Sequence, residues 1–395
     1  MNVTGIKAFV RRHIIWIGTA VAAVIVASIA AAVMLSRGEA LPAAVTETFA
    51  PAATVSAPPS PNPSPSPSPS PSPTLAPEPT PTPPRDPLTG AFTDEASANA
   101  RPYALSISNL KAALPHSGIG QASIIYETLA EWDITRFVAV FPSGFVAEKI
   151  GPIRSARAYF LRYAKDNDAV MVHHGGSSSV VGANGAYEDI KLLGVENIDA
   201  MSDAYDTFWR DPVRARQKGM LEHSSYTNAE RIKWTAGKKG FVRDRAVPGM
   251  FDFYGEFTQP PGGRTAVSLK PMFSDYVKAY FEYDGGVYKR FEFGAPQIDD
   301  QTGEQLSVTN ILIQFTDVYV LRGDPEGRRE VRLTGGGEGY WLSGGYICDI
   351  EWHKDDYATP TVWTRDGEPL KLNVGKTWVC VLDSETEIVL NDGGY

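Results

Sequence analysis

The amino-acid sequence predicts an α+β protein, with an α/β-type N-terminal module containing a mixed sheet and then an antiparallel β-rich module. A transmembrane helix and a disordered Pro-rich linker are expected to precede both modules. Three observations support this prediction: an early run without charged residues, a following tract dominated by Ser and Pro, and short apolar runs beyond it. We divide the 395 residues into a cytoplasmic tail (1–13), the helix (14–35), the linker (36–87) and modules at 88–243 and 244–395.

The uncharged run Ile14–Leu35 is long enough to cross a bilayer. Its 22 residues would span ~33 Å as an α-helix. Lys7, Arg11 and Arg12 precede the run, and the positive-inside rule places such a basic flank in the cytoplasm. We therefore expect a single-pass protein of the cell membrane, with its N-terminus cytoplasmic and its folded part extracytoplasmic. A cleavable signal peptide remains the alternative, because small residues follow at positions 40–44.

The linker contains nearly pure Ser-Pro alternation over Ser60–Pro73. Proline fixes φ and removes a backbone donor, so this tract cannot build a core and should form a solvated polyproline II segment. At ~3.1 Å per residue, the roughly 45 residues from about Ala40 to Pro87 reach at most about 140 Å. That length would hold the folded part well away from a membrane, for instance within a cell wall.

Composition excludes several classes of function. The net charge is −9 and the pI is about 5.3, which disfavours a nucleic-acid-binding protein. Two cysteines are too few for a disulfide-built scaffold or a four-cysteine zinc site. We expect no metal and no cofactor, and an anion site in such an acidic protein has to be local.

The predicted elements change character near residue 244. Before it, we predict strands and helices in alternation, at Tyr103–Ile107, Ala122–Thr128, Thr135–Phe141, Ser155–Lys165 (helix, with Pro152 in its first turn), Ala169–His173 and Val180–Leu192 (helix). After it, Asp275–Asp284 and Val287–Phe293 flank two glycines and predict a hairpin. The Gly-rich run 335–339 is expected to be a loop between strands.

Cys348 and Cys380 both lie in strand-like runs of the second module. Outside the cytoplasm such a pair can oxidise, and we expect a disulfide between them. Two buried free thiols are the alternative, because cysteine also packs as a small apolar residue.

Four segments carry a family resemblance: Ala122–Phe141, Lys149–Phe160, Asp168–Ser177 and Leu370–Leu382. Together they resemble the YerB-like lipoprotein family. The resemblance implies an envelope protein with a two-part extracytoplasmic domain, and it implies no established activity.

The sequence departs from the family pattern at two places. Trp132 and Asp133 stand where the family tends to have two glycines, and the anchor looks like a spanning helix instead of a lipidated cysteine. The segment from His223 to Thr227 matches a family segment loosely, and on that basis we include His223 among the candidate ligand-binding residues.

Glu127, Glu131 and Arg136 form the first candidate group. The two glutamates are four residues apart and share a face on a strand or on a helix, and Arg136 lies on the next predicted strand. A carboxylate pair can divide acid and base roles, as in glycosidic hydrolysis. A structural ion pair on a sheet face is the alternative reading.

Arg154 and Arg157 form the second group. They are three residues apart at the start of the predicted helix, where free amides and the helix dipole attract anions. Two guanidiniums at that point suit a phosphate, sulfate or carboxylate. The alternative is that both pair with Glu127, Glu131 or Asp168.

His173, Gly175, Gly176 and Ser177 form the third group, between a predicted strand and a helix. The small residues would let backbone amides converge on a ligand. His173 could take part in proton transfer.

We therefore expect a membrane-anchored extracytoplasmic protein that binds an anionic or polar ligand, such as an envelope component or cell-wall polymer. Glu127, Glu131 and His173 are its candidate catalytic residues. Arg136, Arg154, Arg157, Gly175, Gly176, Ser177 and His223 are its candidate binding residues. A cell-wall glycan hydrolase and a structural adaptor for another envelope protein are the alternatives, so the question of enzymatic activity stays open.

Overall fold

One mixed sheet of 12 strands organises the folded part of the molecule. The structure is a computed structural model that describes residues 83–391. The predicted transmembrane helix at 14–35 and most of the predicted linker lie outside the described residues. Within 83–391 no helix has the length and apolarity needed to cross a membrane.

Residues 83–391 form five α-helices, three short 3-10 helices and 24 strands. The α-helices are α1 (Glu95–Asn99), α2 (Ala158–Asp166), α3 (Ala186–Leu193), α4 (Pro212–Arg216) and α5 (Ala229–Lys238), and the 3-10 helices are Lys111–Ala113, Ile119–Gln121 and Leu221–His223. The strands before residue 244 are β1 (Tyr103–Ser108), β2 (Ile124–Glu131), β3 (Ile134–Phe141), β4 (Val170–His173), β5 (Asn197–Asp199), β6 (Trp209–Arg210) and β7 (Ser225–Tyr226). The strands after it are β8 (Asp252–Phe253), β9 (Arg264–Thr265), β10 (Ser268–Pro271), β11 (Tyr280–Asp284), β12 (Val287–Glu292), β13 (Ala295–Pro296), β14 (Ser307–Val308), β15 (Asn310–Thr316), β16 (Val318–Val320), β17 (Arg329–Val331), β18 (Gly335–Ser343), β19 (Tyr346–Lys354), β20 (Val362–Arg365), β21 (Glu368–Pro369), β22 (Lys371–Leu372), β23 (Thr377–Asp383) and β24 (Ile388–Leu390).

The main sheet joins strands from both halves of the sequence. Its order is β21-β20-β19-β18-β15-β23-β2-β3-β1-β4-β5, with β9 paired to β19. At the junction, Ile124–Glu127 pairs in parallel with Thr377–Cys380. Strands β1, β4 and β5 run parallel, whereas β2-β3 and β18-β19 are antiparallel. The predicted mixed sheet and β-rich second half are confirmed, and one sheet runs through both.

A second sheet packs against the centre of the main one. Its order is β13-β12-β11-β10-β24, with β14 paired to β12. Trp378 of β23 meets Phe281 of β11 edge to face at 5.4 Å and Phe137 of β3 at 5.3 Å. Strands β2 and β3 are buried along almost their whole length, although both contain charged residues: Glu127 and Glu131 in β2, and Arg136 in β3.

The helix predicted at 155–165 begins only at Ala158, and the proline expected in its first turn lies outside it. The preceding segment 150–157 is extended, because its amides donate to carbonyls of other segments. One such bond runs from the Arg154 amide to a carbonyl of β1 at 2.8 Å. These non-local bonds use the donors that a helix start would leave free. The prediction that Arg154 and Arg157 share a helical face was therefore wrong.

The helix predicted at 180–192 is also shorter, since α3 begins at Ala186. Gly182 has a φ of +88°, which a right-handed α-helix cannot contain, so the helix begins after it. Gly185 is the residue that precedes the first helical turn.

The glycines at 335–339 lie in strand β18, so the prediction of a loop was wrong. Gly337 pairs with Trp352 of β19, and a Cβ on Gly337 would lie 2.7 Å from the indole Nε1. The indole donates to the carbonyl of Phe315 at 2.9 Å. The ring of Trp352 fills the space that a side chain at position 337 would occupy.

Cys348 and Cys380 are both free and buried, so the predicted disulfide was wrong. Cys348 lies on β19 and Cys380 on β23, with strands β18 and β15 between them. Three strand spacings amount to about 14 Å, too far for a disulfide. Burial raises the pKa of Cys348 to about 11 and raises that of Cys380 further above its usual range.

We expect both thiols to resist alkylation in the native protein, because each is buried and protonated at neutral pH. Intact mass after iodoacetamide treatment should show no adduct under native conditions and two adducts in denaturant without reductant. A denatured sample that takes up label only after reduction would contradict the absence of a disulfide.

Candidate functional site

An open cleft of about 410 Å³ lies beside the tip of the β2-β3 hairpin. Its walls come from the hairpin tip, the extended segment before α2, the loop after β4 and the segment that precedes β17. Five predicted site residues line it: Glu131, Arg154, Arg157, Gly176 and Ser177. The cleft therefore contains at least one residue from each of the three predicted groups.

Glu131 lies between two guanidiniums. Arg136 Nη2 contacts Glu131 Oε2 at 2.7 Å, and Arg157 Nη2 contacts Oε1. An irregularity in β2 between Leu129 and Glu131 shifts the pairing register there. Burial lowers the pKa of Arg136 and of Arg157 to about 10, so both stay charged at neutral pH. One carboxylate thus faces two cations.

Arg154 has a more exposed partner. Its Nη2 contacts Glu222 Oε2 at 3.0 Å, and its Nη1 donates to the Glu222 carbonyl at 3.1 Å. The Arg154 side chain is 19% exposed, whereas that of Glu222 is 56% exposed. Burial, and then the positive charge of Arg136, lower the pKa of Arg154.

Two hydrogen-bond donors in the cleft lack protein acceptors. The Nε atoms of Arg154 and Arg157 are buried and find no acceptor among residues 83–391. A buried donor without an acceptor destabilises the folded state.

Two imidazoles beside the cleft are kept neutral. Arg210 donates to His174 Nε2 at 3.3 Å, so His174 Nδ1 carries the proton and donates to Ser225 Oγ at 2.7 Å. Burial and then Arg210 lower the pKa of His174, while burial and then Arg154 lower that of His223. His174 therefore cannot accept the proton of Ser225, which rules out that pair as a nucleophile and its base.

The predicted His173 and Gly175 lie away from the open cleft. His173 is fully buried, with Nδ1 2.8 Å from the Gly175 carbonyl and Nε2 3.2 Å from Asn197 Oδ1. The Gly175 amide donates to Asp199 Oδ1 at 2.7 Å, and the Ser177 amide donates to the Ala156 carbonyl at 3.2 Å. The expected convergence of these amides on a ligand was wrong, because the protein already supplies their acceptors.

Across 83–391 no group of three or more His, Cys, Asp and Glu side chains is arranged to hold a metal ion.

Glu127 is enclosed and does not share the cleft with Glu131. Its carboxylate accepts from Arg290 Nη2 at 2.9 Å, Thr135 Oγ1 at 2.9 Å and Trp378 Nε1 at 3.1 Å. Both Glu127 and Arg290 have no exposed side-chain area, and burial raises the pKa of Glu127. The predicted carboxylate pair in one open site was therefore wrong.

His116 and Glu292 extend this buried polar cluster. Arg290 contacts Glu292, and burial raises the pKa of Glu292 to about 7. His116 Nε2 donates to the Ser108 carbonyl at 2.6 Å, and its Nδ1 accepts from Gln297 at 3.0 Å. Burial lowers the pKa of His116 to about 4, so the imidazole is neutral in the folded state.

Two family models match the folded part of the chain. The model described as "Protein of unknown function (DUF3048) N-terminal domain" matches residues 88–242, and the DUF3048 C-terminal domain matches residues 269–379. Together they cover more than half of the sequence. This chain belongs to the DUF3048 family.

A named relative and a solved structure are also similar to this chain. "Putative lipoprotein YerB" of Bacillus subtilis (strain 168) is 29% identical over 305 residues, covering 75% of this chain and 85% of the relative. The crystal structure of YerB protein from Bacillus subtilis matches with a TM-score of 0.66 and 28% identity, covering 77% of this chain and 99% of the solved chain. The resemblance to YerB-like proteins is thereby confirmed.

Sequence reasoning missed several residues of the cleft in this DUF3048 protein. Glu222, Arg328 and Trp132 line it, and Arg328 comes from the second half of the chain. Arg328 Nη1 donates to the Ser178 carbonyl at 3.2 Å, and the backbones of Glu131 and Arg328 pair as an isolated antiparallel β-bridge. No local pattern links residues almost 200 positions apart, although Trp132, standing where the family tends to have a glycine, was a usable signal.

Replacing Glu127 with Gln should destabilise the fold by about 3–5 kcal/mol, because Arg290 then loses a buried charged partner. Urea unfolding of the full chain measures this change. Glu338→Gln is the matched control, since Glu338 is exposed, and it should change the unfolding free energy by no more than about 0.5 kcal/mol. Equal effects of the two substitutions would contradict a structural role for the buried pair.

His116 should make the fold acid-sensitive between pH 6.5 and about 4. In that range the unfolded imidazole binds a proton and the folded one does not, so stability falls as the pH is lowered. The wild type should lose up to about 3 kcal/mol relative to His116→Gln across this window. Glu292 has the opposite effect on how stability depends on pH. Because the wild type and His116→Gln both contain Glu292, its effect cancels in the comparison. His353→Gln, which removes an exposed histidine, should show no such difference.

Proposed function

We propose that this chain is a membrane-anchored, extracytoplasmic envelope protein that binds an anionic ligand at the cleft. The observation that carries the binding proposal is the pair of largely buried guanidiniums of Arg154 and Arg157. Each lines an open cleft and each has a buried Nε without a protein acceptor. A ligand carboxylate, sulfate or phosphate accepts hydrogen bonds from such groups with charge assistance.

Arg154 is the guanidinium that a ligand would reach first. Its carboxylate partner belongs to Glu222, which is 56% exposed on a single 3-10 turn. An exposed ion pair contributes little stability, so a ligand can replace Glu222 at small cost. Arg136 does not line the cleft, but its positive charge lowers the pKa of Arg154.

The anchoring part of the proposal rests on two supports. The uncharged run at residues 14–35 is long enough to span a bilayer, with basic residues before it. The Bacillus subtilis relative is named as a lipoprotein, which fits a protein held at the outer face of a membrane. We propose a single N-terminal helix for this chain, with the folded part outside the cell membrane and close to wall polymers.

Substitutions on the two sides of the Arg154–Glu222 pair should change anion affinity in opposite directions. Arg154→Ala should weaken binding about 10- to 100-fold, since a charge-assisted hydrogen bond is lost. Glu222→Gln should strengthen it, because the competing carboxylate is removed. Calorimetric titration of the full chain with acetate, sulfate, phosphate and glucuronate measures these changes.

Arg332→Ala is the matched control, because Arg332 is an exposed arginine paired with Asp317 outside this cleft. It should bind every tested anion as the wild type does. The proposal fails when none of the four anions binds, or when Arg154→Ala and Arg332→Ala reduce affinity equally.

A further inference from the structure

Trp132 is a large apolar side chain held in a fixed position at the rim of the cleft. It is 58% exposed and lines the cleft at the tip of the β2-β3 hairpin. The indole lies directly over Gly327, where an added Cβ would be 2.3 Å from Cδ2 and from Cε2. The glycine therefore supports one face of the ring system and leaves the other for solvent.

Backbone contacts keep Trp132 in this position. Its amide donates to the Gly327 carbonyl at 2.9 Å. The Arg329 guanidinium donates to the Trp132 carbonyl through Nε at 3.1 Å and Nη2 at 2.6 Å. Trp132 itself has a φ of +42°, an uncommon conformation for a bulky residue. An aromatic face that is ordered before binding loses little conformational freedom when a ligand stacks on it.

The charges of the cleft select among anions. Of the described residues, three acidic and three basic side chains line it: Glu131, Glu222, Glu326, Arg154, Arg157 and Arg328. Such a balanced lining disfavours a multiply charged phosphate, which the glutamates would repel. A ligand with a single carboxylate and several hydroxyl groups on each sugar unit fits better, because hydroxyls can donate to the glutamates while one carboxylate accepts from the arginines.

The volume of the cleft is consistent with such a ligand. About 410 Å³ lies within the ~300–1,000 Å³ typical of small-molecule sites. Glu131 and Glu222 already show that carboxylates match the guanidiniums present here.

We propose that the cleft binds the sugar-acid unit of an acidic saccharide. The C–H face of the sugar ring stacks on Trp132, and its carboxylate takes the place of Glu222 at Arg154, next to Arg157. This inference rests on the proposed anion-binding function and adds the class of ligand to it.

The experiment titrates the full chain with trigalacturonate, with acetate as the bare carboxylate, with neutral galactose and with adenosine monophosphate as a stacking phosphate. Trigalacturonate should bind at least tenfold more tightly than acetate, and galactose should bind no better than acetate. Trp132→Ala should lower trigalacturonate affinity about tenfold and leave acetate affinity unchanged. Trp132→Phe should retain most of the affinity, since it keeps an aromatic face.

Trp234→Ala is the control, because Trp234 is also half-exposed, at 51%, and lies on α5 away from the cleft lining. Thermal unfolding of each variant checks that it folds. The saccharide inference is overturned if trigalacturonate binds no more tightly than acetate, or if Trp132→Ala does not change its affinity. In either case, acetate binding that depends on Arg154 would still support the proposed function. Tighter, Trp132-dependent binding of adenosine monophosphate also overturns it, in favour of a nucleotide. Failure of every anion to bind overturns both proposals.

Discussion

The buried ion pair between Glu127 and Arg290 is the contact on which the arrangement of the two sheets depends. Glu127 belongs to β2 of the main sheet, and Arg290 belongs to β12 of the second sheet. Neither side chain has exposed area, so each needs the other to compensate for its lost hydration. Trp378 of β23 donates to the same carboxylate and packs under the guanidinium at 4.9 Å. Three strands distant in sequence therefore meet at one charge pair, and their relative positions are fixed by its geometry.

The cleft is a consequence of this assembly and not of a local motif. Parallel pairing of β2 with β23 places the second half of the chain beside the β2-β3 hairpin. The segment before β17 then reaches the hairpin tip, where Gly327 supports Trp132 and Arg328 contacts the loop after β4. Neither half of the sequence contains a complete cleft. Residues from both of the ranges that the two family models match therefore line the cleft.

Much of the fold could be predicted from the sequence, and the limits have physical causes. The strands β1, β2, β3 and β4 follow from short runs rich in apolar residues, which are strong local signals. Glu131, Arg154 and Arg157, which the sequence predicts as site residues, all line the cleft, although the argument for the two arginines was wrong. Their segment is extended because distant carbonyls bind its amides, and no local pattern encodes those partners. The same holds for Cys348 and Cys380, whose separation depends on two intervening strands.

Glu131 and Glu222, the two carboxylates that pair with Arg136, Arg154 and Arg157, differ in a way that decides which one a ligand can replace. Glu131 contacts two guanidiniums and is 12% exposed, so removing it would leave Arg136 and Arg157 facing each other without a counter-charge. Glu222 contacts one guanidinium and is 56% exposed, so water can solvate it as soon as it moves away. Exchange of Glu222 for a ligand carboxylate leaves the desolvation of Arg154 unchanged, since one anion takes the place of another. In the proposed binding mode, the favourable binding free energy comes from what the ligand adds beyond its carboxylate, chiefly stacking on the exposed face of Trp132.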